Sequence, residues 1–227
     1  MLANQGHLQR LGVGRVTQKK KEWSAVYRRA GGYEGSKLEA HFRVVAAMRE
    51  WRAELTVVHP ATVCGHSQSG HILKAQPLAG LIGNLAGGRL SAIPGSAAHW
   101  LPLISVDFLA ELMMAAAFDE RQAGQEILAL DARTPNLQGV LQLLAHVLDV
   151  RAPSRHLPIP LLRVLLKVPG VSRLLRTDAE SLDFIQTTRF DTAAAEALAV
   201  RHGLSWPDMA QTLRLTARYL AGASSAA

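Results

Sequence analysis

Two residues able to move a proton stand one helical turn apart: Tyr33 and Lys37, in the run Gly31-Gly32-Tyr33-Glu34-Gly35-Ser36-Lys37-Leu38-Glu39-Ala40-His41-Phe42. A carbonyl that accepts hydride, or a hydroxyl that loses it, needs a partner to give or take a proton at oxygen. A free phenol titrates near ~10 and is a poor base at neutral pH. An ammonium four residues along a helix lies on the same face and stabilises the phenolate. The same ammonium can donate a hydrogen bond to a sugar hydroxyl. The bland alternative is a half-buried tyrosine beside a solvated lysine. In a chain with three tyrosines and six lysines the pair alone is only suggestive, and the elements after it decide its weight.

Other chemistry-bearing side chains carry less. His59, His66 and His71 fall at a strand end and in a loop, with no Cys or carboxylate at ligand spacing, so no metal site is expected. Gly80-Leu-Ile-Gly83-Asn-Leu-Ala-Gly87 has a spacing like a phosphate loop but lies inside a helical pattern, and reads as helix packing with a C-cap. Leu157 to Arg176 is cationic and amphipathic, broken by Pro158, Pro160 and Pro169. It suits a lid over an apolar pocket better than a membrane-surface helix. Phe184, Phe190, Trp206 and Tyr219 are expected in the core.

The elements that must position the pair follow from periodicity. Residues 33–52 predict an amphipathic helix, and residues 54–59 a buried strand, β-branched on both faces as a parallel strand covered on two sides would be. Residues 72–87 predict a helix stopped at Gly87-Gly88, and Leu90 to Ile93 a short strand before Pro94-Gly95. A strand at Leu103–Val106 leads to a helix capped by Asp107 and ending near Phe118. Glu126 to Leu130 is a further strand, and a helix runs from Thr134 or Asn136 to about Leu148. Capping boxes are expected at Thr177–Glu180 and Ser205–Asp208, and Asp191 caps a helix that stops at Gly203.

The bulk composition, 48% hydrophobic and 19% charged, is that of a globular chain. The net charge of +7 is concentrated: residues 1–30 hold seven Lys/Arg against one acid, Glu22, whereas residues 31–227 hold 18 bases and 17 acids. The body is nearly neutral, so nucleic acid is not an expected partner, and Lys19-Lys20-Lys21 reads as a solvated tail. No secretory signal and no membrane-spanning run is read, and the lone Cys64 suits a reducing cytoplasm. The expected layout is a basic extension, 1–30, not clearly part of the fold. It is followed by a unit of helix, strand and loop, 31–67, a region of interleaved strands and helices, 68–221, and a tail, 222–227.

The order Tyr-x-x-x-Lys helix, buried strand Leu55-Thr56-Val57-Val58, then Pro60-Ala61-Thr62-Val63-Cys64-Gly65 resembles the catalytic half of the extended short-chain dehydrogenase/reductases, the NAD-dependent epimerase/dehydratase superfamily. Glu34 to Ala40 is similar to the consensus after the catalytic tyrosine. Val106-Asp107-Phe108-Leu109-Ala110 looks like a helix-opening motif of that family. Arg189-Phe190-Asp191-Thr192 through Gly203-Leu204 to Tyr219-Leu220 resembles the thioester-reductase and fatty-acyl-reductase branch. The resemblance covers about residues 31–221. It implies an α/β fold, with a partial Rossmann-like parallel sheet and a mostly helical C-terminal substrate region. It further implies an oxidoreductase using NADP or NAD, NADP favoured, on an acyl thioester, aldehyde or ketone. Tyr33 would be the proton donor, Lys37 would set its acidity and bind ribose, and Pro60, Ala61, Thr62 and Val63 would line the nicotinamide.

The chain also departs from the pattern. No Gly-rich strand–turn–helix precedes Tyr33, for Gly12-Val13-Gly14 lacks an upstream strand, and Ser24 and Thr17, the nearby hydroxyls, follow no apolar strand. His59 stands where Arg is common. The expectation is a truncated or split gene product. Two other readings stay open: a non-catalytic remnant or pairing module whose sheet a second chain completes, and a sugar-nucleotide epimerase-like member.

Overall fold

The structure, a computed structural model, describes residues 20–166 and 179–225. Its first helix, α1, spans Lys20–Glu50 and breaks at Gly31, where φ is 77° and ψ 175°. Only glycine adopts that conformation without strain, and there the chain reverses. The arm before the break lies back on the helix after it. Trp23 and Val26 are buried with Leu38, Tyr27 and Phe42 pack beside them, and the rings of Trp23 and Phe42 are 5.9 Å apart. The Tyr27 hydroxyl donates to Glu39 at 2.8 Å, and Arg43 Nε donates to the same carboxylate at 2.9 Å. This corrects the expectation of a helix starting near Tyr33, and it places residues 20–30 of the expected extension against the fold; residues 1–19 lie outside the described residues. Trp23, Val26, Tyr27 and Ala30 already have helical spacing, hidden in the sequence by the surrounding charge.

After α1 come β1 (Val57–Pro60) and β2 (Thr62–Cys64), which follow one another across Ala61, then α2 (Pro77–Ala86), β3 (Ile93–Pro94) and β4 (Leu103–Ser105). Next are α3 (Val106–Phe118), a 3-10 turn (Glu120–Gln122), β5 (Glu126–Ala129), α4 (Leu137–Val147), β6 (His156–Leu157) and α5 (Ile159–Leu166). A 3-10 segment (Ala179–Phe184), α6 (Ala193–Arg201) and α7 (Met209–Ser225) close the described chain. The three strand pairs, β1 with β5, β2 with β4 and β3 with β6, are all parallel. Val57 pairs with Glu126 and Pro60 with Ala129. The fold is therefore α/β, with short parallel pairs and a mostly helical remainder.

Two large cores hold it. One gathers Leu78, Ile82, Leu103, Leu141, Leu144 and Leu213 between α2, α4, α7 and β4. The other gathers Trp100, Ile104, Phe108, Leu112, Ile127 and Leu198 between α3, α6 and the strands. Trp100 is fully buried, its indole N–H donates to Thr188 O at 3.0 Å, and the Arg189 guanidinium stacks 4.0 Å from its ring.

Several caps differ from expectation. Asp107 lies in the first turn of α3, but its carboxylate accepts from Ser67 rather than capping the helix. Asp208, not Ser205, caps α7, accepting from the amides of Ala210 and Gln211 at 2.8 and 3.2 Å. Asn136 caps α4 through Gly139 N at 2.8 Å, and Asp191 receives Ala193 N at 2.9 Å. Phe190 and Trp206 pack on the second core and Phe184 on the first. Tyr219 is instead partly exposed, edge-on to His71 with ring centroids 5.1 Å apart. Thr177 and Asp178 of the Thr177–Glu180 box and the second half of the 157–176 segment lie outside the described residues, though α5 is among them.

Candidate active site

The Gly31 break puts Tyr33 in the first turn of the second part of α1. The 3.6-residue period then aligns Tyr33, Lys37 and His41 along one side. Lys37 Nζ lies 5.7 Å from the centre of the Tyr33 ring, so the two side chains converge rather than point apart. Both border a cleft of about 460 Å³ between α1 and β1, with an apolar floor of Val45, Leu55 and Val57. Tyr33 is 59% exposed and is not sealed in the core.

His41 reaches from α1 to His59 on β1, with ring centroids 5.6 Å apart, and His59 Nε2 lies 3.2 Å from Glu126 Oε2 on β5. Burial, and then the neighbouring His59, push the His41 imidazole below the ordinary histidine value, against the opposing pull of Glu126. A group so placed is neutral at pH 7. The sequence reading passed over His41, although its position eight residues after Tyr33 marks it as part of the same stripe.

Of the nicotinamide-side residues expected from the sequence, Pro60 lines the cleft. Ala61 and Thr62 are buried, Val63 is half-buried against the second core, and none of these three borders the cleft. A second polar cluster lies beyond β2. Ser67 donates its amide to Asp107 Oδ1 at 2.9 Å and its hydroxyl to Oδ2 at 2.5 Å, and His66 Nδ1 stands 3.7 Å from the same oxygen. Burial pushes the Asp107 carboxyl up, but the bonds from Ser67 outweigh it and hold the group below the usual carboxylate range. The loop is seated on α7 at Gly70, where φ is 71° and an added Cβ would fall 2.2 Å from Leu215 O. Gly80 and Gly83 lie inside α2 and Gly87 is its C-cap, but both inner glycines are exposed with open space where a Cβ would stand, so the helix-packing part of the expectation is not met. Among the described residues no cluster of three or more metal-ligating side chains occurs, and no helix is long and apolar enough to cross a membrane.

This arrangement, a Tyr–Lys helix over a parallel strand with a helix on the strand's far face, belongs to an α/β, Rossmann-like fold that the chain shares with solved reductase domains. Residues 12–113, less than half of the chain, match the model of an NAD-binding family described as male sterility protein. Among solved structures the chain is similar to the terminal R domain of the myxalamid PKS-NRPS pathway, with TM-score 0.66 and 18% identity over 86% of this chain and 51% of that one. It is also similar to the aureusimine biosynthetic cluster reductase domain, with TM-score 0.56 and 15% identity over 93% of this chain and 52% of that one. RMD from Pseudomonas aeruginosa, solved with NADPH, gives TM-score 0.50 and 15% identity over 84% of this chain and 56% of that one. The chain thus spans about half the length of the solved structures it matches. A search of curated proteins finds no match.

Proposed function

We propose that this chain carries the proton-transfer half of an NAD(P)H-dependent oxidoreductase acting on an acyl thioester, aldehyde or ketone. The observation that carries the reading is the convergence of Tyr33 and Lys37 on the rim of the α1–β1 cleft. The residues present fit the nicotinamide end of the cofactor: an apolar floor for the ring, and an exposed ammonium and hydroxyl for the ribose. When bound, NADPH would supply hydride to the carbonyl carbon.

The chain's own residues supply the rest. Tyr33 gives its proton to the carbonyl oxygen as negative charge develops there, and Lys37 stabilises the phenolate left behind. His41, neutral at the base of the stripe, adds no second cation beside that ammonium. NADP is favoured over NAD. An acyl substrate is supported by α5, which exposes Leu161, Val164 and Leu165.

The test has two parts. Titration of the protein with NADPH, followed by nicotinamide fluorescence, should give micromolar binding. In the form that binds, Tyr33→Phe should lower turnover by about 10²–10⁴. Turnover unchanged in Tyr33→Phe would refute the role of the phenol. A second reading, a non-catalytic module that pairs with another chain, is favoured by the outer edge of β1, on which no strand pairs among the described residues. No NADPH binding in any assembled state would support it.

A further inference from the structure

Where α1 meets β1, the contact is between two imidazoles. His41 and His59 stand with ring centroids 5.6 Å apart and planes inclined at 49°, and both border the cleft. Two imidazoles that share one tetrahedral ion, each through a nitrogen about 2.0–2.1 Å from the metal, have their centres roughly 5 Å apart. A small rotation about either side chain closes the difference. His59 Nε2 lies 3.2 Å from Glu126 Oε2 on β5. In the tautomer whose Nε2–H donates to that carboxylate, Nδ1 keeps its lone pair. A carboxylate so placed behind a histidine fixes the ring and raises its basicity as a ligand. Among the described residues the His41 ring meets the rings of Phe42 and His59 and makes no hydrogen bond. Burial, and then the neighbouring His59, hold that imidazole below the ordinary histidine value, so at pH 7 it has the neutral form a metal takes. The chain's one thiol, Cys64, is buried against Met209 and offers no competing soft ligand. Lys37, one turn along the same stripe, opposes a cation with its ammonium, and the Glu126 carboxylate supplies the opposite charge. Sequence spacing gives no sign of the pair, because its members lie on different elements and meet only when α1 folds over β1.

We propose that His41 and His59 form a binding site for a transition-metal ion of the Zn²⁺, Ni²⁺ and Cu²⁺ class, which clips α1 to β1 in the wall of the cleft. Imidazole nitrogen selects these ions over Mg²⁺ and Ca²⁺, which take oxygen ligands. Two protein ligands fall short of the three or four that hold a permanent centre, so the ion is exchangeable, its other positions filled by water. The inference does not depend on the oxidoreductase reading and stands if that reading fails.

The test uses the 227-residue protein without a polyhistidine tag. Zn²⁺ is titrated in competition with a chromogenic chelator, and Cu²⁺ is followed by electron paramagnetic resonance. Carbethoxylation of histidines by diethyl pyrocarbonate is read by mass spectrometry with and without Zn²⁺. At the tightest site, one ion per chain and a copper spectrum coupled to two imidazole nitrogens are expected. Zn²⁺ should shield His41 and His59, out of nine histidines, from the reagent. His41→Phe and His59→Phe should each weaken binding at least tenfold, and Glu126→Gln, which takes the carboxylate from behind His59, by about 10–100-fold. The melting temperature should rise with Zn²⁺ in the wild type and not in His41→Phe. Absence of binding by the wild type overturns the proposal. So does binding that persists undiminished in the double variant, which would mean that other histidines hold the ion. Should the phenylalanine variants fail to fold, the labelling of the wild type decides: both rings modified equally with and without Zn²⁺ overturns the site.

Discussion

Replacing Lys37 with methionine keeps the length of the side chain and removes its charge, so it isolates what the ammonium does for the phenolate. Nζ lies 5.7 Å from the ring over which the phenolate charge spreads. At that separation the Coulomb energy is about 0.7 kcal/mol at the dielectric of water and about 3 kcal/mol at an effective value of ~20 for a protein-enclosed pair. These correspond to losses of about 3-fold and about 100-fold in kcat/KM. Tyr33 is 59% exposed, so the chain alone sits near the lower figure, and a partner covering the cleft moves it toward the upper one. The assay is steady-state NADPH oxidation with an acyl thioester or aldehyde, wild type against Lys37→Met, at low and high salt. A loss below twofold in a covered, cofactor-binding form would refute the electrostatic role of Lys37. A loss equal in the open and covered forms would refute the argument from dielectric.

Three further outcomes are expected. Trp100→Ala should destabilise by about 3–5 kcal/mol, since a fully buried indole that also donates to Thr188 O is lost. That is a fall in Tm of about 6–20 °C by calorimetry for a domain of this size, and Trp100→Phe should cost less. Cys64 is 1% exposed and burial pushes its thiol up to about 12, so alkylation at pH 8 should proceed only as fast as the protein unfolds. Asp107 has a folded pKa below its unfolded value of ~3.9, so the stability it contributes is complete above that value and is lost as pH falls through the folded one. Denaturation of wild type and Asp107→Asn should therefore differ by a constant amount near neutrality and converge in strong acid.

What could be read from the sequence was whatever a single element decides for itself. The β-branched Val57-Val58 pair marked β1, Gly87-Gly88 marked the end of α2, and the stripe of Tyr33 and Lys37 needed only the helical period. What could not be read depends on contacts between distant segments. Asp107 has the composition of a cap but spends its carboxylate on Ser67, 40 residues away. The arm of α1 reads as a basic tail until Trp23 is seen against Phe42. Ala61, Thr62 and Val63 follow the strand that floors the cleft, yet β2 turns them into the body of the protein.

The distribution of the cores explains why the candidate site is open. Neither large core contains a residue of α1, whose buried Trp23, Val26 and Leu38 form a small cluster of their own. The helix that carries Tyr33 and Lys37 is thus steadied by its own arm, through the Tyr27–Glu39–Arg43 bonds, and touches the sheet at His41 and His59. Among the described residues the strand below pairs with β5 alone. A substitution that breaks the arm's bonds, such as Tyr27→Phe, should therefore disturb the chemistry at Tyr33 without touching it.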